Sequence, residues 1–470
     1  MRKPQRIRDP VHDLVEFSGG QFENVLWNAI ETRPFQRLRR IKQLGFSDLV
    51  FPGATHSRFA HSVGVFHTAR QLMTNVRAHL GESGVDEAKM QQALAAALVH
   101  DLGHGPFSHS FEQVGKRLSL RMAQHENVSD VLIRDGEVAE ALHPLGSGFA
   151  ADVADIVRAK GPTDVYGAVV SSQFAADRLD YIRRDRLMTG TQHSAIDFRW
   201  LMANIKIGEI PYGVDESKVG NKETFVLGEK AVYAAEAYVL GLFQLYPTVY
   251  FHKTTRSAEK MFAELLVRII RLAQDGSHAR LGLEANHPLV GFARAPDSLE
   301  AVLNLDDTVV WSALAMLSEA EDRIVGDLAR RLRDRKLYKA IDVRKRMRWD
   351  LQFDDSANQK AMEEEIDLKC ESIDEKVKDW ISTNSAEGER VLCDETEREP
   401  YKRFEESKGP LNQIRIEAPN GRLVDLADRS SVVRAIRPYK LYRLYVAEED
   451  SEAREFVEGL IRKEVGHAAD

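Results

Sequence analysis

An apolar segment that ends in an adjacent histidine and aspartate constrains this chain more than any other feature. Ala93–Val99 is almost entirely apolar and predicts a buried helix, and His100 and Asp101 follow it directly. A buried imidazole beside a buried carboxylate is costly unless a charged group sits between them. Imidazole nitrogen and carboxylate oxygen suit Mn, Fe, Co, Ni or Zn, and less well Mg. The pair therefore predicts half of a divalent metal site.

Further ligands must come from other segments, because one His-Asp pair cannot complete a coordination sphere. His61 closes the string His-Ser-Arg-Phe-Ala-His, and Asp177 opens the string Asp-Arg-Leu-Asp-Tyr. On a helix, Asp177, Tyr181 and Asp185 project from roughly one face. We expect that face to line a cleft opposite the His-Asp pair.

The length and patterning of the chain predict a mainly α fold, with a helical core and a small C-terminal α/β lobe. A chain of 470 residues is too long for one compact core, so two or three domains are expected. Helical periodicity dominates the first 350 residues, and strand formers are concentrated in the tail. The expected domains are a core at 1–275, a helical extension with an acidic linker at 276–390, and the α/β lobe at 391–470.

Several segments carry more specific expectations. Lys206–Ile210 and Glu223–Leu227 can form a small hairpin, and the stretch from Lys230 to about Ala273 predicts one long helix. The acidic stretch 354–410 predicts a solvated helix followed by a linker. Tyr439–Val446 is rich in strand formers.

Composition indicates a globular protein of the reducing cytoplasm. The net charge is −8, which gives no overall attraction to nucleic acid or to an anionic membrane, although a local basic cleft stays open. No apolar run reaches the roughly 18 residues of a membrane span, and the first residues, Met1–Arg6, have no apolar signal core. The two cysteines, Cys370 and Cys393, indicate neither a disulfide framework nor a cysteine zinc site.

Motifs over much of the chain resemble those of a known family. The order His61, His100-Asp101, Asp177 follows the H…HD…D pattern of the HD superfamily. The flanking strings resemble the HD-domain deoxynucleoside triphosphate triphosphohydrolases, both bacterial members and the vertebrate enzyme with a sterile-alpha-motif domain. These strings are Arg6–His12, Phe35–Gly45, Phe51–His61, His252–Arg256 and Arg335–Lys339. The resemblance spans about residues 4–345.

The resemblance implies a role for each matching side chain. The implied metal ligands are His61, His100, Asp101 and Asp177. The implied groups near the scissile phosphate are His104 and His125, with His109 beside them and Glu112 as the acidic residue that orients a histidine. The implied phosphate contacts are Arg58 and Arg178, and the implied sugar and base contacts are Gln43, Tyr181, Asp185 and Tyr250. A His–Glu pair is a suitable general acid–base unit near neutral pH, and the sequence leaves open which histidine serves.

Three functions stay open at this stage. The first is hydrolysis of a deoxynucleoside triphosphate to deoxynucleoside and triphosphate. The second is a nucleic-acid or cyclic-nucleotide phosphodiesterase, for example a 3′-end exonuclease on single-stranded DNA, or another nucleotide phosphohydrolase. It is favoured somewhat because Leu242 and Pro247 stand where many relatives carry basic residues. The third is a catalytically inactive nucleotide sensor, against which the intact ligand set argues.

The resemblance also bears on partners. It implies a nucleotide substrate and a homo-oligomer, and composition predicts no membrane association. Arg6, Glu31, Gln36 and Arg39 occupy positions comparable to a nucleotide-activator pocket of relatives, so an activator stays open as well.

Overall fold

The structure is a computed structural model that divides the chain into two compact units. It describes residues 3–159, 161–162, 164–214, 217–351, 359–384, 388, 390–401 and 413–466. Unit 1 comprises Met1–Val249, Asp297–Thr308 and Glu399–Arg437. Unit 2 comprises Tyr250–Pro296, Val309–Arg398 and Pro438–Asp470.

Helices dominate both units, as the sequence predicts. In chain order the α-helices are α1 (Gln21–Ile30), α2 (Arg33–Arg37), α3 (Arg58–Leu80), α4 (Glu87–Val99), α5 (His109–Arg117), α6 (His125–Arg134), α7 (Glu137–Leu142), α8 (Phe149–Arg158), α9 (Val165–Ser171), α10 (Ala176–Thr189), α11 (Phe198–Ala203), α12 (Val232–Leu245), α13 (Lys253–Gln274), α14 (Pro288–Arg294), α15 (Leu299–Leu303), α16 (Asp307–Leu317), α17 (Arg323–Arg333), α18 (Val343–Asp350), α19 (Gln359–Thr383), α20 (Leu426–Arg429), α21 (Ser431–Ala435) and α22 (Ser451–Val465).

Among the residues that the structure describes, the strands form three small sheets. They are β1 (Gln5–Asp9), β2 (Asp13–Phe17), β3 (Ile205–Val214), β4 (Ser217–Gly228), β5 (Lys339–Asp342), β6 (Val391–Arg398), β7 (Arg415–Glu417), β8 (Leu423–Asp425) and β9 (Tyr439–Val446). Unit 1 holds the β1-β2 hairpin and a sheet ordered β3-β4-β7-β8, and unit 2 holds an antiparallel sheet ordered β5-β9-β6. The predicted mainly α fold with a small α/β region is confirmed.

Helices α3, α4 and α10 form the scaffold of the candidate site in unit 1. Helix α3 begins after Ser57, whose hydroxyl accepts a hydrogen bond from the Ala60 amide at 3.4 Å. Helix α4 begins after Asp86, whose carboxylate accepts from two backbone amides. Its second half, Ala93–Val99, is buried as predicted, so His100 lies at the end of a buried helix.

Two of the predicted elements differ in extent from the structure. The hairpin strands are longer than Lys206–Ile210 and Glu223–Leu227, because β3 runs to Val214 and β4 starts at Ser217. The expected helix from Lys230 to Ala273 is divided into α12 and α13. A π-helical turn at Tyr246–Tyr250 lies between them and contains Pro247, which cannot donate a backbone hydrogen bond.

The acidic helix of unit 2 is buried along one side, so the interpretation as a solvated helix was wrong for that side. Ile366, Ile373 and Val377 of α19 are buried in a core with β5, β6, β9, α18 and α22. Their spacing of seven and four residues places them on one side of the helix. In the segment expected to be a linker, Val391–Arg398 forms β6, and residues 385–387, 389 and 402–412 lie outside the described residues.

No helix among the residues that the structure describes is long and apolar enough to span a membrane.

The burial pattern of α19 predicts that truncation of a buried side chain destabilises the protein, whereas truncation of an exposed one does not. Ile373 is 0% exposed, so Ile373→Ala should lower the free energy of unfolding by about 2–5 kcal/mol through lost transfer energy and a cavity. Leu368→Ala is the matched control, because Leu368 lies on the same helix but is 67% exposed; it should change stability by less than about 0.5 kcal/mol. Denaturant unfolding followed by circular dichroism measures both, and equal losses would contradict the assignment of the buried side.

Candidate metal centre and active site

Four side chains from three helical segments of unit 1 converge at the end of α4. Ligand atoms of His61, His100 and Asp101 all lie within 4.8 Å of one another. Asp177 Oδ1 lies 3.0 Å from His61 Nε2 and 3.9 Å from His100 Nε2. The structure thus brings together the four predicted ligands, which the sequence separates by as many as 116 positions.

The two histidines direct their Nε2 atoms toward these carboxylates. His61 Nδ1–H donates to Asp180 Oδ2 at 2.8 Å, and His100 Nδ1–H donates to the Ala97 carbonyl at 3.0 Å. These bonds leave each Nε2 as the nitrogen available to a metal. His100 Nε2 is moreover buried without a hydrogen-bond partner among the described residues. Such an atom, facing a carboxylate at 3.3 Å, fits a divalent cation.

The negative charge of Asp101 is stabilised by Arg58 and by the two imidazoles beside it. Burial alone would raise the pKa of Asp101, but Arg58 and the imidazoles of His100 and His104 outweigh burial and hold this pKa well below its usual range. Arg58 donates from Nη1 to Asp101 Oδ2 and from Nε to Ser108 Oγ at 2.8 Å. A fixed guanidinium therefore lies directly against the predicted metal centre.

A second cluster surrounds Glu112, immediately beside the first. Glu112 accepts hydrogen bonds from Nδ1 of His125 and, at 3.1 Å, from Nδ1 of His109. His104 lies between the clusters, since its Nε2 is 3.3 Å from Asp101 Oδ1 and its ring stacks on that of His125 with centroids 4.0 Å apart. The His104 side chain is 2% exposed, whereas that of His109 is 71% exposed.

The surroundings of His104 and His125 shift their pKa values in opposite directions. Burial, Arg58 and His125 lower the pKa of His104 well below its usual value, so His104 is neutral at pH 7. Burial would also lower the pKa of His125, but the bond to Glu112 and its charge outweigh burial and raise this pKa above its ordinary value. Burial would raise the pKa of Glu112, yet its bonds to His109 and His125 lower it. The cluster therefore combines an imidazole whose neutral form is favoured, an imidazole whose charged form is favoured, and a carboxylate.

A cleft of about 130 Å³ connects the two clusters. Its walls include His100 and Asp177 from the first cluster and His125 from the second, with Val65, Ala97, Val157 and Val170 supplying apolar surface. A group bound there would contact two predicted metal ligands and His125, one of the candidate acid–base histidines.

Comparison with known proteins agrees with this arrangement. The HD domain model matches residues 58–180, and a model of the HD associated region matches residues 214–295. The chain is 33% identical over 339 residues to YwfO, an uncharacterized protein of Bacillus subtilis (strain 168), a match that covers 72% of this chain and 71% of YwfO. A solved phosphohydrolase from Bacteroides thetaiotaomicron VPI-5482 superposes with a TM-score of 0.70 and 25% identity, covering 94% of this chain and 99% of that one. The chain belongs to the HD-domain phosphohydrolase family.

More distant relatives of this HD phosphohydrolase carry a named activity. A Dictyostelium discoideum protein named deoxynucleoside triphosphate triphosphohydrolase SAMHD1 homolog is 28% identical over 346 residues, which is 72% of this chain and 60% of that protein. SAMHD1 of Gallus gallus is 28% identical over 377 residues, 71% of this chain and 55% of the relative. The chain thus spans less than two thirds of the length of these relatives. The family resemblance predicted from the sequence is confirmed.

The HD-domain loop that carries His104 is held by contacts distant in sequence. Arg37 is fully buried and donates to the His104 carbonyl at 2.9 Å and to the Leu305 carbonyl at 2.7 Å. Asp307 accepts from the Phe107 amide at 2.7 Å. Gly103 lets the loop lie against α6, because a Cβ there would approach the His125 carbonyl to 2.1 Å.

The predicted sugar and base contacts are only partly brought together. Gln43 and Asp185 both bond to His56: the Gln43 amide donates to the His56 carbonyl at 3.0 Å, and His56 Nε2 lies 2.9 Å from Asp185 Oδ1. The Oε1 atom of Gln43 is buried without a hydrogen-bond partner among the described residues. Tyr181 lies on α10, one turn after Asp177. Tyr250 ends the π-helical turn and is the first residue of unit 2, so its role stays a prediction.

Arg178, the second predicted phosphate contact, lies beside Asp177 on α10. Its Nη1 donates to Gln173 Oε1 at 2.8 Å, and the Tyr238 hydroxyl donates to the Gln173 carbonyl at 2.6 Å. Gln173 therefore links the guanidinium to α12. The role of Arg178 toward a phosphate stays a prediction.

Sequence reasoning did not assign roles to several residues that build this site. Asp180 was visible as the second carboxylate of the Asp-Arg-Leu-Asp string, and His12 closes the N-terminal string. The hydrogen bonds that join His12 and His61 to Asp180 depend on tertiary contacts. Arg37 and Asp307 lie 270 positions apart in the chain, and no local sequence pattern predicts that they hold the loop of His104.

The geometry predicts that the metal content of the purified protein depends on the His-Asp pair. We expect about one divalent ion per chain, and near-complete loss of that ion in the His100→Ala, Asp101→Ala double variant, because two of the donors are gone. His143→Ala is the control, since His143 is exposed and lies outside the cluster. Elemental analysis after dialysis measures the content. Retention of the ion by the double variant would contradict the assigned site.

Proposed function

We propose that this HD phosphohydrolase is a metal-dependent triphosphohydrolase that converts a deoxynucleoside triphosphate into deoxynucleoside and inorganic triphosphate. The observation that carries the proposal is a contact of Asp101, a predicted metal ligand. Its Oδ1 lies 3.3 Å from His104 Nε2. The predicted metal site therefore adjoins the cluster of His104, Glu112 and His125. The activity for which the SAMHD1 relatives are named supports the choice of substrate.

The residues that would hold the metal are His61, His100, Asp101 and Asp177. A divalent ion bound by this set lowers the pKa of a coordinated water and polarises a phosphoryl oxygen. The donor set of imidazole and carboxylate leaves Mn, Fe, Co, Ni, Zn and Mg as candidates.

Arg58 supplies positive charge where phosphate oxygens would gather. It is buried, and its Nε is already oriented by Ser108 Oγ at 2.8 Å. A buried guanidinium with a fixed orientation stabilises charge that develops on phosphate oxygens more strongly than a mobile one. Arg178, next to Asp177, is the second candidate for this role.

His125 is the best candidate for the general acid. In the proposed reaction a water oxygen forms a bond to the α-phosphorus, and the bond from that phosphorus to the 5′ oxygen breaks. The departing 5′ oxygen then needs a proton, which the protonated His125 can donate while Glu112 stabilises its charged form. His104, whose neutral form is favoured, lies between Asp101 and His125, with its Nδ1 3.8 Å from Glu112 Oε1.

A phosphodiesterase acting on single-stranded DNA is the second candidate. The observation that favours it concerns Leu242 of α12. This residue is 3% exposed and belongs to the core, so it provides no positive charge for a triphosphate. Pro247 likewise supplies no cation in the π-helical turn. A phosphodiester carries about one negative charge, so it needs fewer cations than a triphosphate.

One assay distinguishes the candidates. The purified protein with Mn²⁺ is given a mixture of deoxynucleoside triphosphates and, separately, end-labelled single-stranded DNA, and products are resolved by chromatography. We expect deoxynucleoside and triphosphate in equal amounts. Stepwise release of monophosphates from DNA would support the second candidate, and no product from either substrate would support an inactive sensor.

Two variants test the assignment of that activity to this site. His125→Ala should lower kcat by about 10²–10⁴-fold, the usual contribution of a general acid. The His100→Ala, Asp101→Ala double variant should be inactive, and any activity that survives this change comes from a contaminant or another site. His143→Ala serves as the matched control and should retain activity.

The raised pKa of His125 predicts a shift in pH dependence. If His125 must be protonated to act, activity falls as pH rises through its pKa, which lies above the ordinary value because of Glu112. Glu112→Gln removes that charge while keeping a hydrogen-bond acceptor, so the alkaline limb of the kcat profile should move by about one pH unit or more toward acid. Asp130→Asn, on the same helix α6 and paired with Arg134 at 2.8 Å, should leave the limb in place. An unmoved limb in Glu112→Gln would exclude His125 as the acid.

A further inference from the structure

The carboxylate behind His61 is fixed by four hydrogen bonds. Asp180 Oδ2 accepts from His61 Nδ1 at 2.8 Å and from Arg184 Nε at 2.8 Å. Asp180 Oδ1 accepts from His12 Nε2 at 2.6 Å and from Arg184 Nη2 at 3.0 Å. A carboxylate has about four acceptor positions, so Asp180 has no freedom to turn away from His61.

One of these donors comes from a turn far away in sequence. Asp9 Oδ1 accepts from the amides of Val11 and His12 at 2.9 and 3.0 Å, which shapes the turn between β1 and β2. Asp9 Oδ2 also accepts from Arg184 Nη1 at 2.7 Å, so the turn is tied to α10. The His12 side chain is 1% exposed and points inward at Asp180.

The packing of α3 against α10 leaves space for this network at a glycine. Gly64 lies one turn after His61, and a Cβ there would come within 2.2 Å of Asp180 Oδ1 and 2.3 Å of Arg184 Nη2. Any larger residue at position 64 would displace the pair that supports His61.

We propose that the N-terminal turn positions the metal centre: His12, held by Asp9, fixes Asp180, and Asp180 fixes the ring of His61 with its Nε2 toward the metal. The inference rests on the metal centre of the proposed function. His12 and Asp180 are positioning residues, since both act through His61. The N-terminal string Asp-Pro-Val-His therefore helps to orient a predicted metal ligand.

A purely structural role would lower stability without a specific effect on metal affinity. Loss of a donor to Asp180 lets the carboxylate rotate, so the His61 ring is less well oriented. Residues behind a metal ligand typically change metal affinity by about 10–100-fold. Metal affinity, measured on the folded metal-free chain, therefore separates positioning from stability.

The test is a double-mutant cycle on the full-length chain with Co²⁺, whose visible absorption reports its ligands. His12→Phe keeps a ring but removes the donor and should weaken Co²⁺ binding by about tenfold, and Asp180→Asn by about 10–100-fold. In the Asp180→Asn background, His12→Phe should have little further effect. His12→Gln, which can still donate an N–H, should restore part of the affinity.

The control lies on the same hairpin. Arg8→Ala removes an exposed ion pair with Asp13 and does not touch the network, so Co²⁺ affinity should not change. Thermal unfolding of each metal-free variant checks the fold. If His12→Phe does not fold, Asp9→Asn loosens the same turn without a change of volume and should weaken Co²⁺ binding in the same direction.

The outcomes distinguish this inference from the function on which it rests. Wild-type protein that does not bind Co²⁺ would overturn the metal centre and the positioning role together. Wild-type binding with unchanged affinity in the folded His12→Phe variant would overturn the positioning role alone. Fully additive effects of His12→Phe and Asp180→Asn would show that His12 does not act through Asp180.

Discussion

Paired charges without access to water organise the interior of unit 1. Asp180, Arg184 and Asp9 are buried, and so is Arg58 beside Asp101. An ion in a protein interior costs several kcal/mol unless partners satisfy it, and removal of one partner from a buried pair costs about 3–5 kcal/mol. The β1-β2 turn, α3 and α10 each supply part of these pairs. The scaffold of the candidate metal centre is therefore stable only when all three segments are in place.

Burial and paired charge also act differently on two histidines of one cluster, so that the charged form is disfavoured in one and favoured in the other. His104 is almost completely buried beside Arg58, so its charged form is disfavoured. His125 stacks on that ring but bonds to Glu112, so its charged form is favoured. A pair of adjacent groups whose pKa values are driven apart can hold an acceptor and a donor at one pH. The loop between His104 and α5 contains Phe107 and Ser108, which both have positive φ, a conformation that costs about 1–3 kcal/mol at each residue. The hydrogen bond from the Phe107 amide to Asp307 helps to hold it.

Local sequence patterns predict these features to different extents. The His-Asp pair after a buried helix predicts a metal ligand because burial makes the pair costly without one. Asp177 and Asp180 lie three residues apart on one helix, so periodicity cannot decide which of them joins the candidate ligands. In the structure Asp177 Oδ1 lies 3.0 Å from His61 Nε2, whereas Asp180 packs against Gly64. For α19, acidic composition suggested a solvated helix, whereas the spacing of its isoleucines and valine already indicated a buried side. The hydrogen bond from Phe107 to Asp307 joins segments 200 residues apart, and no local pattern predicts it.

The features that define an HD phosphohydrolase are separate from those that select its substrate. Any phosphate ester can use a metal, a guanidinium and an acid–base histidine, so the ligand set does not by itself favour a triphosphate. A triphosphate brings about four negative charges, and each must be met by a cation or by water. Arg58 is already engaged with Asp101 and Ser108, and Leu242 is buried in α12. The cations that would hold the outer phosphates must therefore lie beyond these positions, and where they lie determines whether a free nucleotide or a phosphodiester binds better.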